Sequence, residues 1–170
     1  MDTLLHLPGV LSMSTSRVSA QSVWPGLRLL VGEALDNLVR MRQKEGAALK
    51  VYLEAQNRTL RNMLALVKSA FRRAVKERLC RIKTDEERTC FLKESDITEE
   101  IDRLAFHLKN FSSKFSQTQP VGKELDFIAQ EMQREANTMG AKSCDAAVSS
   151  LVVQLKSQIE KTREQLQNIE

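Results

Sequence analysis

The sequence predicts an all-α fold: long antiparallel helical hairpins with coiled-coil-like packing, elongated rather than globular. Three observations lead there. Six Gly and three Pro in 170 residues are too few to punctuate the short strands of a sandwich or barrel, and 5% aromatic content argues the same way. Apolar residues recur three, four or seven apart over most of the chain. The stripes they make are narrow, so they bury themselves only against other helices, in this chain or in a second subunit.

Residues 1–28 have a different texture, holding Pro8, Pro25 and the run SMSTSRVSAQS, and read as a loosely structured lead-in to a helical domain over 29–170. From Leu29 to Ile82, Leu35, Leu38, Leu49, Tyr52, Leu60, Met63, Val67, Ala70 and Ala74 keep helical spacing after one break in phase, with only Gly46 interrupting. A helix that long would run about 80 Å at 1.5 Å per residue, about twice the width of a compact domain of this size. The weakly periodic LCRIKTDEERTCFLKES should be a corner or an irregular hairpin. Ser95 or Asp96 can cap the next helix, whose seam is Ile97, Ile101, Leu104, Leu108, Phe111 and Phe115. SQTQP ends it. Val121, Leu125, Ile128, Met132, Ala136 and Met139 mark another helix, and Val148, Leu151, Leu155, Ile159, Leu166 and Ile169 mark the last.

No apolar run is long enough to span a membrane, and the opening residues lack the basic start of a signal peptide. A cytoplasmic protein is expected, with no membrane partner and no small-molecule cofactor. Cys80, Cys90 and Cys144 are odd in number and widely spaced, so neither a disulfide framework nor a zinc cage is encoded, and buried thiols are expected.

The net charge of +4 conceals a sorting. Residues 58–83 carry nine cations and one acid, and residues 84–104 carry eight acids and three cations. At 100° per residue Arg58, Arg61, Lys68, Arg72, Lys76 and Lys83 fall within an arc of about 80°, a cationic ridge on one helix. Such a ridge can follow the phosphates of RNA and release their counterions. Equally, it can pair with the acidic segment. With few aromatics beside it, base stacking is not expected, and contact would be to backbone and shape.

Chemistry can sit in two places. On the Ile97 helix, Glu100, Arg103, His107 and Lys114 form a strip beside the seam. Arg103, one turn before His107, disfavours a second positive charge and leaves the imidazole able to accept a proton. The structural alternative is a lone histidine hydrogen-bonding on a helix flank. In residues 125–146, Glu131 and Glu135 lie one turn apart with Asp126 nearby, a set able to hold a hard divalent ion such as Mg²⁺ or Mn²⁺, with Arg134 placed to neutralise a phosphate. The plain alternative is a solvated helix face.

The segments LPGV (7–10), MRQKEGAAL (41–49), SDITEEIDRLAFHL (95–108), VGKELDFIAQEMQREANTMGAKSCDA (121–146) and LKSQIEKTREQLQNIE (155–170) closely resemble the C-terminal portion of the YicC-like family of bacterial proteins. The resemblance implies a metal-assisted endoribonuclease that assembles into oligomers, commonly hexamers. It also implies functional weight for Glu45, Glu100, Arg103, His107, Asp126, Gln130, Glu131, Arg134, Glu135, Asn137, Thr138, Lys142 and Ser143, which match the family's polar motifs. Two departures stand out. The family's mixed α and β N-terminal domain is expected to be absent, and Leu92 and Lys93 replace the usual A-D or A-Q pair. The functional expectation is therefore an RNA-cleaving protein or its C-terminal module. In it His107, Glu100, Arg103 and Arg134 are catalytic candidates, the ridge binds RNA, and Glu131, Glu135 and Asp126 are the metal set. The rivals are a non-catalytic oligomerising RNA-binding scaffold and a coiled-coil interaction protein.

Overall fold

The computed structural model describes residues 19–117 and 119–167. These form five helices, α1 (Ala20–Arg81), α2 (Asp85–Ser95), α3 (Thr98–Lys114), α4 (Gly122–Lys142) and α5 (Ala146–Leu166), with no strand among the described residues. The fold is all-α, as the spacing predicted. The expectations that fall on residues 1–18, and the seam position Ile169, lie outside the described residues.

The chain divides into two compact units, Met1–Gly46 and Ala47–Glu170. In the first, α1 starts at Ala20, earlier than the Leu29 start read from spacing. Ser19 explains the difference: its Oγ accepts from Gln21 N at 3.3 Å and its carbonyl from the Ser22 hydroxyl at 2.7 Å, which caps the helix. Pro25 is accommodated near this end, where the ring's fixed φ suits the helix and only one backbone bond is lost. Every described side chain of this unit is exposed, including Trp24, Leu30 and Leu35.

In the second unit, residues 47–81 of α1 join α3, α4 and α5 around one core. The α1 seam is Leu53, Asn57, Leu60, Leu64, Val67 and Ala70, whereas Tyr52 is exposed and Met63 half-buried. Asn57 is the reason the phase is hard to read: it occupies a buried seam position with Oδ1 unpartnered, so an apolar count skips it. Ile97 just before α3 and Ile101, Leu104, Leu108 and Phe111 on it are buried, as read, whereas Phe115 is half-buried and Glu100 is buried as well. On α4 Leu125, Ile128, Met132, Ala136 and Met139 are buried as read, with Ala129 added and Val121 only half-buried, and on α5 Val152 replaces Leu151 at the seam and Thr162 joins it.

Neighbouring helices run antiparallel. Lys114–Glu124 at 2.5 Å and Arg103–Glu135 at 3.7 Å set the α3/α4 register. Arg61 Nη2 donates to Ser112 Oγ at 2.9 Å and Lys68 Nζ lies 3.4 Å from Asp102, which sets α1 against α3. Arg163–Asp126 at 3.2 Å ties α5 to α4, and Gln158 donates to Gln56 between α5 and α1.

The expected corner over 79–95 is instead the end of α1 followed by the 11-residue helix α2. Its apolar pattern is weak, but its ends are well chosen. Thr84 Oγ1 accepts from Glu87 N, Asp85, Glu86 and Glu87 lie at the positive end of the helix dipole, and Lys93 lies at the negative end. The N-cap position of α3 is Ile97 rather than Ser95 or Asp96, and Asp96, one residue earlier, accepts with Oδ1 from Thr98 N at 2.9 Å in the first turn. The three cysteines are free and exposed rather than buried, because none falls on a seam position.

Candidate active site on the α3/α4 seam

Positions beside the α3 and α4 seams bring the polar motifs together. Glu100, 4% exposed, is held by Lys142, whose Nζ lies 2.6 Å from Oε1; Oε2 is buried with no partner. This carboxylate raises the Lys142 ammonium above the usual lysine range, with help from Glu99 and Asp96. One turn along α3, Arg103 reaches both Glu99 on its own helix and Glu135 on α4. His107 follows, half-buried, with its ring edge-on to Phe106 at 5.8 Å. The register of Lys114–Glu124 and Arg103–Glu135 puts His107 at the level of Glu131 along the two helix axes. Glu131 is half-buried and paired at 2.6 Å with Arg134, which is exposed. Glu100, Arg103 and His107 thus share one seam with Glu131, Arg134, Glu135 and Lys142.

Asp126 does not join them. It lies about 180° around α4 from Glu135 at 100° per residue. There it accepts from Arg163 of α5 at 3.2 Å and from Gln130 at 2.7 Å. Among the described residues no group of three or more His, Cys, Asp or Glu side chains is arranged to hold a metal ion. A three-carboxylate cage of Asp126, Glu131 and Glu135 does not fit this fold. Glu131 and Glu135 alone share the flank that faces α3, and hard ions such as Mg²⁺ are commonly held by two carboxylates plus water and phosphate.

The cationic ridge lies elsewhere. Arg61 donates to the Leu108 carbonyl at 3.3 Å and to Ser112, and Lys68 pairs with Asp102, so both are spent in part on joining α1 to α3. Arg58, Arg72, Lys76 and Lys83 are exposed and make no ion pair among the described residues. Asp102 and Ser112 face α1 while Arg103 and Lys114 face α4, so the ridge and the α3/α4 seam lie on opposite flanks of α3. Within one chain they are separated by about one helix diameter, 10–12 Å. Among the described residues the acidic segment pairs with the ridge at Lys68–Asp102.

The sequence reading did not foresee that Lys142 would meet Glu100, or that Arg163 would claim Asp126. Both contacts depend on the register between helices distant in sequence. Heptad phase fixes which flank a residue occupies, but not its partner across the seam.

Comparison with known proteins agrees with the motifs and corrects the expectation that the family's N-terminal region is absent, since part of it is matched. Residues 41–170 match the family described as "Endoribonuclease YicC-like, C-terminal", and residues 1–51 match its N-terminal region. A relative from Clostridioides difficile (strain 630), described as probable endoribonuclease YicC, is 31% identical over 180 residues, covering 96% of this chain and 61% of its own length. A protein of the same description from Haemophilus influenzae is 44% identical over 75 residues, covering 44% of this chain and 26% of its own. The chain thus spans at most about three fifths of the length of these relatives. With the C-terminal family domain matched across residues 41–170, the chain belongs to the YicC-like endoribonuclease family.

Proposed function

We propose that the protein cleaves RNA phosphodiester bonds at the α3/α4 seam. The observation that carries this reading is the convergence of Glu100, Arg103 and His107 with Glu131, Arg134, Glu135 and Lys142, which come from two distant motifs. In cleavage the attacking oxygen, of water or of the ribose 2′-hydroxyl, gives up its proton and bonds to phosphorus as the bond to the leaving ribose oxygen breaks, and that oxygen takes up a proton in turn. His107 is the side chain suited to taking the proton of the attacking oxygen. The charge that builds on the phosphate is met by Arg103 and Arg134, whose exposed guanidinium groups can exchange their present carboxylates for phosphate oxygens. Glu100 and Lys142 lock the α3/α4 register and so position the other groups.

The strip holds the carboxylates Glu99, Glu100, Glu131 and Glu135 against Arg103, Arg134 and Lys142, and a polyanion approaching it meets one uncompensated negative charge. We therefore assign Glu131 and Glu135 as the pair that holds a divalent ion. Such an ion supplies charge neutralisation at the phosphate. Arg58, Arg72 and Lys76 on α1 hold the RNA backbone, with Lys83, which the sequence placed on the same helix, lying just past its end. Self-assembly is supported by the apolar side chains exposed along residues 20–46, Trp24, Leu27 and Leu30 among them. The setting is cytoplasmic, and no described helix is long and apolar enough to cross a membrane.

The experiment is incubation of the full chain with labelled RNA in Mg²⁺ or Mn²⁺ and in EDTA. Cleavage is expected with metal, with loss in EDTA and in Glu131→Ala plus Glu135→Ala. Intact RNA in every condition overturns the reading, and cleavage unchanged by the double substitution overturns the role given to the two carboxylates. A second reading, an RNA-binding scaffold, is favoured by the ion pairs that already occupy Arg103 and Arg134. Salt-sensitive binding without cleavage selects it.

A further inference from the structure

The chain has six phenylalanines. Phe111 is fully buried, and Phe71, Phe91 and Phe115 are half-buried. The other two, Phe106 and Phe127, are 60% and 61% exposed. Both lie on the helix pair that carries the polar strip. At 100° per residue Phe106 sits about 60° around α3 from Arg103, and Phe127 about 40° around α4 from Glu131. Phe127 lies on the outward side of α4, and Phe106 on the outward face of α3 between Arg103 and Asp102, which is about 40° from it. In the antiparallel register Phe106 falls opposite Met132 and Phe127 opposite Phe111, an offset of five residues or about 7.5 Å along the helix axes. The interval between them carries His107 and Asn110 on α3 and Glu131 on α4.

The surroundings of the two rings indicate what covers them. Phe106 has Arg103 one turn before it and Asn110 one turn after. Phe127 has Lys123 and Glu124 before it and Glu131 after. The core of a protein–protein interface is depleted of charge and apolar over a continuous area, whereas these rings are single aromatic faces among charges. A nucleobase fits that setting, since its π-face stacks on one ring while its phosphates reach the neighbouring cations.

We propose that Phe106 and Phe127 are stacking platforms for two unpaired nucleobases, one on each side of the phosphate that His107 serves. This rests on the RNA-cleaving reading of the seam and adds to it the contact that fixes which linkage is presented. It also reverses the expectation, drawn from low aromatic content, that base stacking plays no part. A base must be splayed out of a duplex to offer its face, so the platforms act on unpaired segments.

The test uses the full chain, a fluorescently labelled single-stranded RNA oligonucleotide, and the same strand with two adjacent abasic positions. Binding is read by anisotropy at fixed salt, with sedimentation velocity run in parallel. Phe106→Ala and Phe127→Ala are each expected to weaken binding of the intact strand by about fivefold or more, to leave abasic-strand binding nearly unchanged, and to be rescued by Phe→Trp. Equal loss on both strands, or no loss on either, overturns the proposal, and if wild-type cleavage persists the RNA-cleaving reading survives it. Unchanged RNA affinity with altered sedimentation assigns the rings to a protein contact and also overturns it. A wild-type chain that binds no RNA overturns both readings.

Discussion

Lys142 Nζ lies 2.6 Å from Oε1 of Glu100, a buried carboxylate whose second oxygen has no partner. The two residues come from the first turn of α3 and the last turn of α4, and their contact holds the register in which Arg103 meets Glu135.

Removing this tie has a pH signature. The Lys142 ammonium is raised above its ordinary value of 10.5, chiefly by its hydrogen bond to Glu100. A cation whose folded value exceeds the unfolded one stabilises the fold fully below the unfolded value, and the gain is lost as pH rises through the folded value. Lys142→Met is therefore expected to melt below wild type at neutral pH, with the two Tm values converging above pH 10.5. Thermal melts followed by circular dichroism across that range check it.

Asp96 gives the opposite sign. Its carboxyl is held below the usual 3.8, first by the hydrogen bond from the Thr98 side chain and then by the Thr98 backbone N–H. The resulting stability is present above pH 3.8 and is lost as pH falls through the lowered value. Asp96→Ala is expected to cost about 0.5–2 kcal/mol at pH 7, the range of a lost helix cap. The deficit should shrink in acid, and urea titrations at pH 7 and below pH 3 read it.

The core separates buried from exposed seam residues. Phe111→Ala is expected to cost about 3–5 kcal/mol by urea unfolding, since the ring is fully buried. Leu35→Ala, although Leu35 keeps helical spacing, should stay within about 0.5 kcal/mol because its side chain is 55% exposed. A large loss at Leu35 would show that a partner covers that face.

The ridge should appear as a salt dependence. Each phosphate contact on a single strand contributes about 0.7 to the slope of log K against log salt. Arg72→Ala plus Lys76→Ala is expected to lower that slope by about 1.4 and to weaken binding alike for different sequences. Filter binding from low to moderate salt measures it. A slope left unchanged removes the ridge from the RNA path.

Much of this was legible in the sequence because heptad phase is local. The seams Ile97–Phe111 and Leu125–Met139 follow from spacing alone, and so does the placement of Arg103 and His107 beside the first. What the sequence hid was of two kinds. Asn57 in the α1 seam and the weakly patterned but well-capped α2 defeat an apolar count, because a buried amide or a helix dipole stands in for hydrophobicity there. The partners of Asp126, Glu100 and Lys68 depend on interhelical register, which no local spacing encodes. The split of the metal set is of another kind: 100° per residue puts Asp126 about 180° around α4 from Glu135, so local spacing did encode it.

The central claim is that the α3/α4 seam is where the RNA bond breaks, with His107 moving the proton. The measurement closest to it is the single-turnover rate of cleavage of an end-labelled RNA by wild type and His107→Ala, with binding and Tm recorded for both. The account predicts a rate loss of about 100-fold or more with binding and Tm unchanged. Equal rates for the two proteins would contradict it.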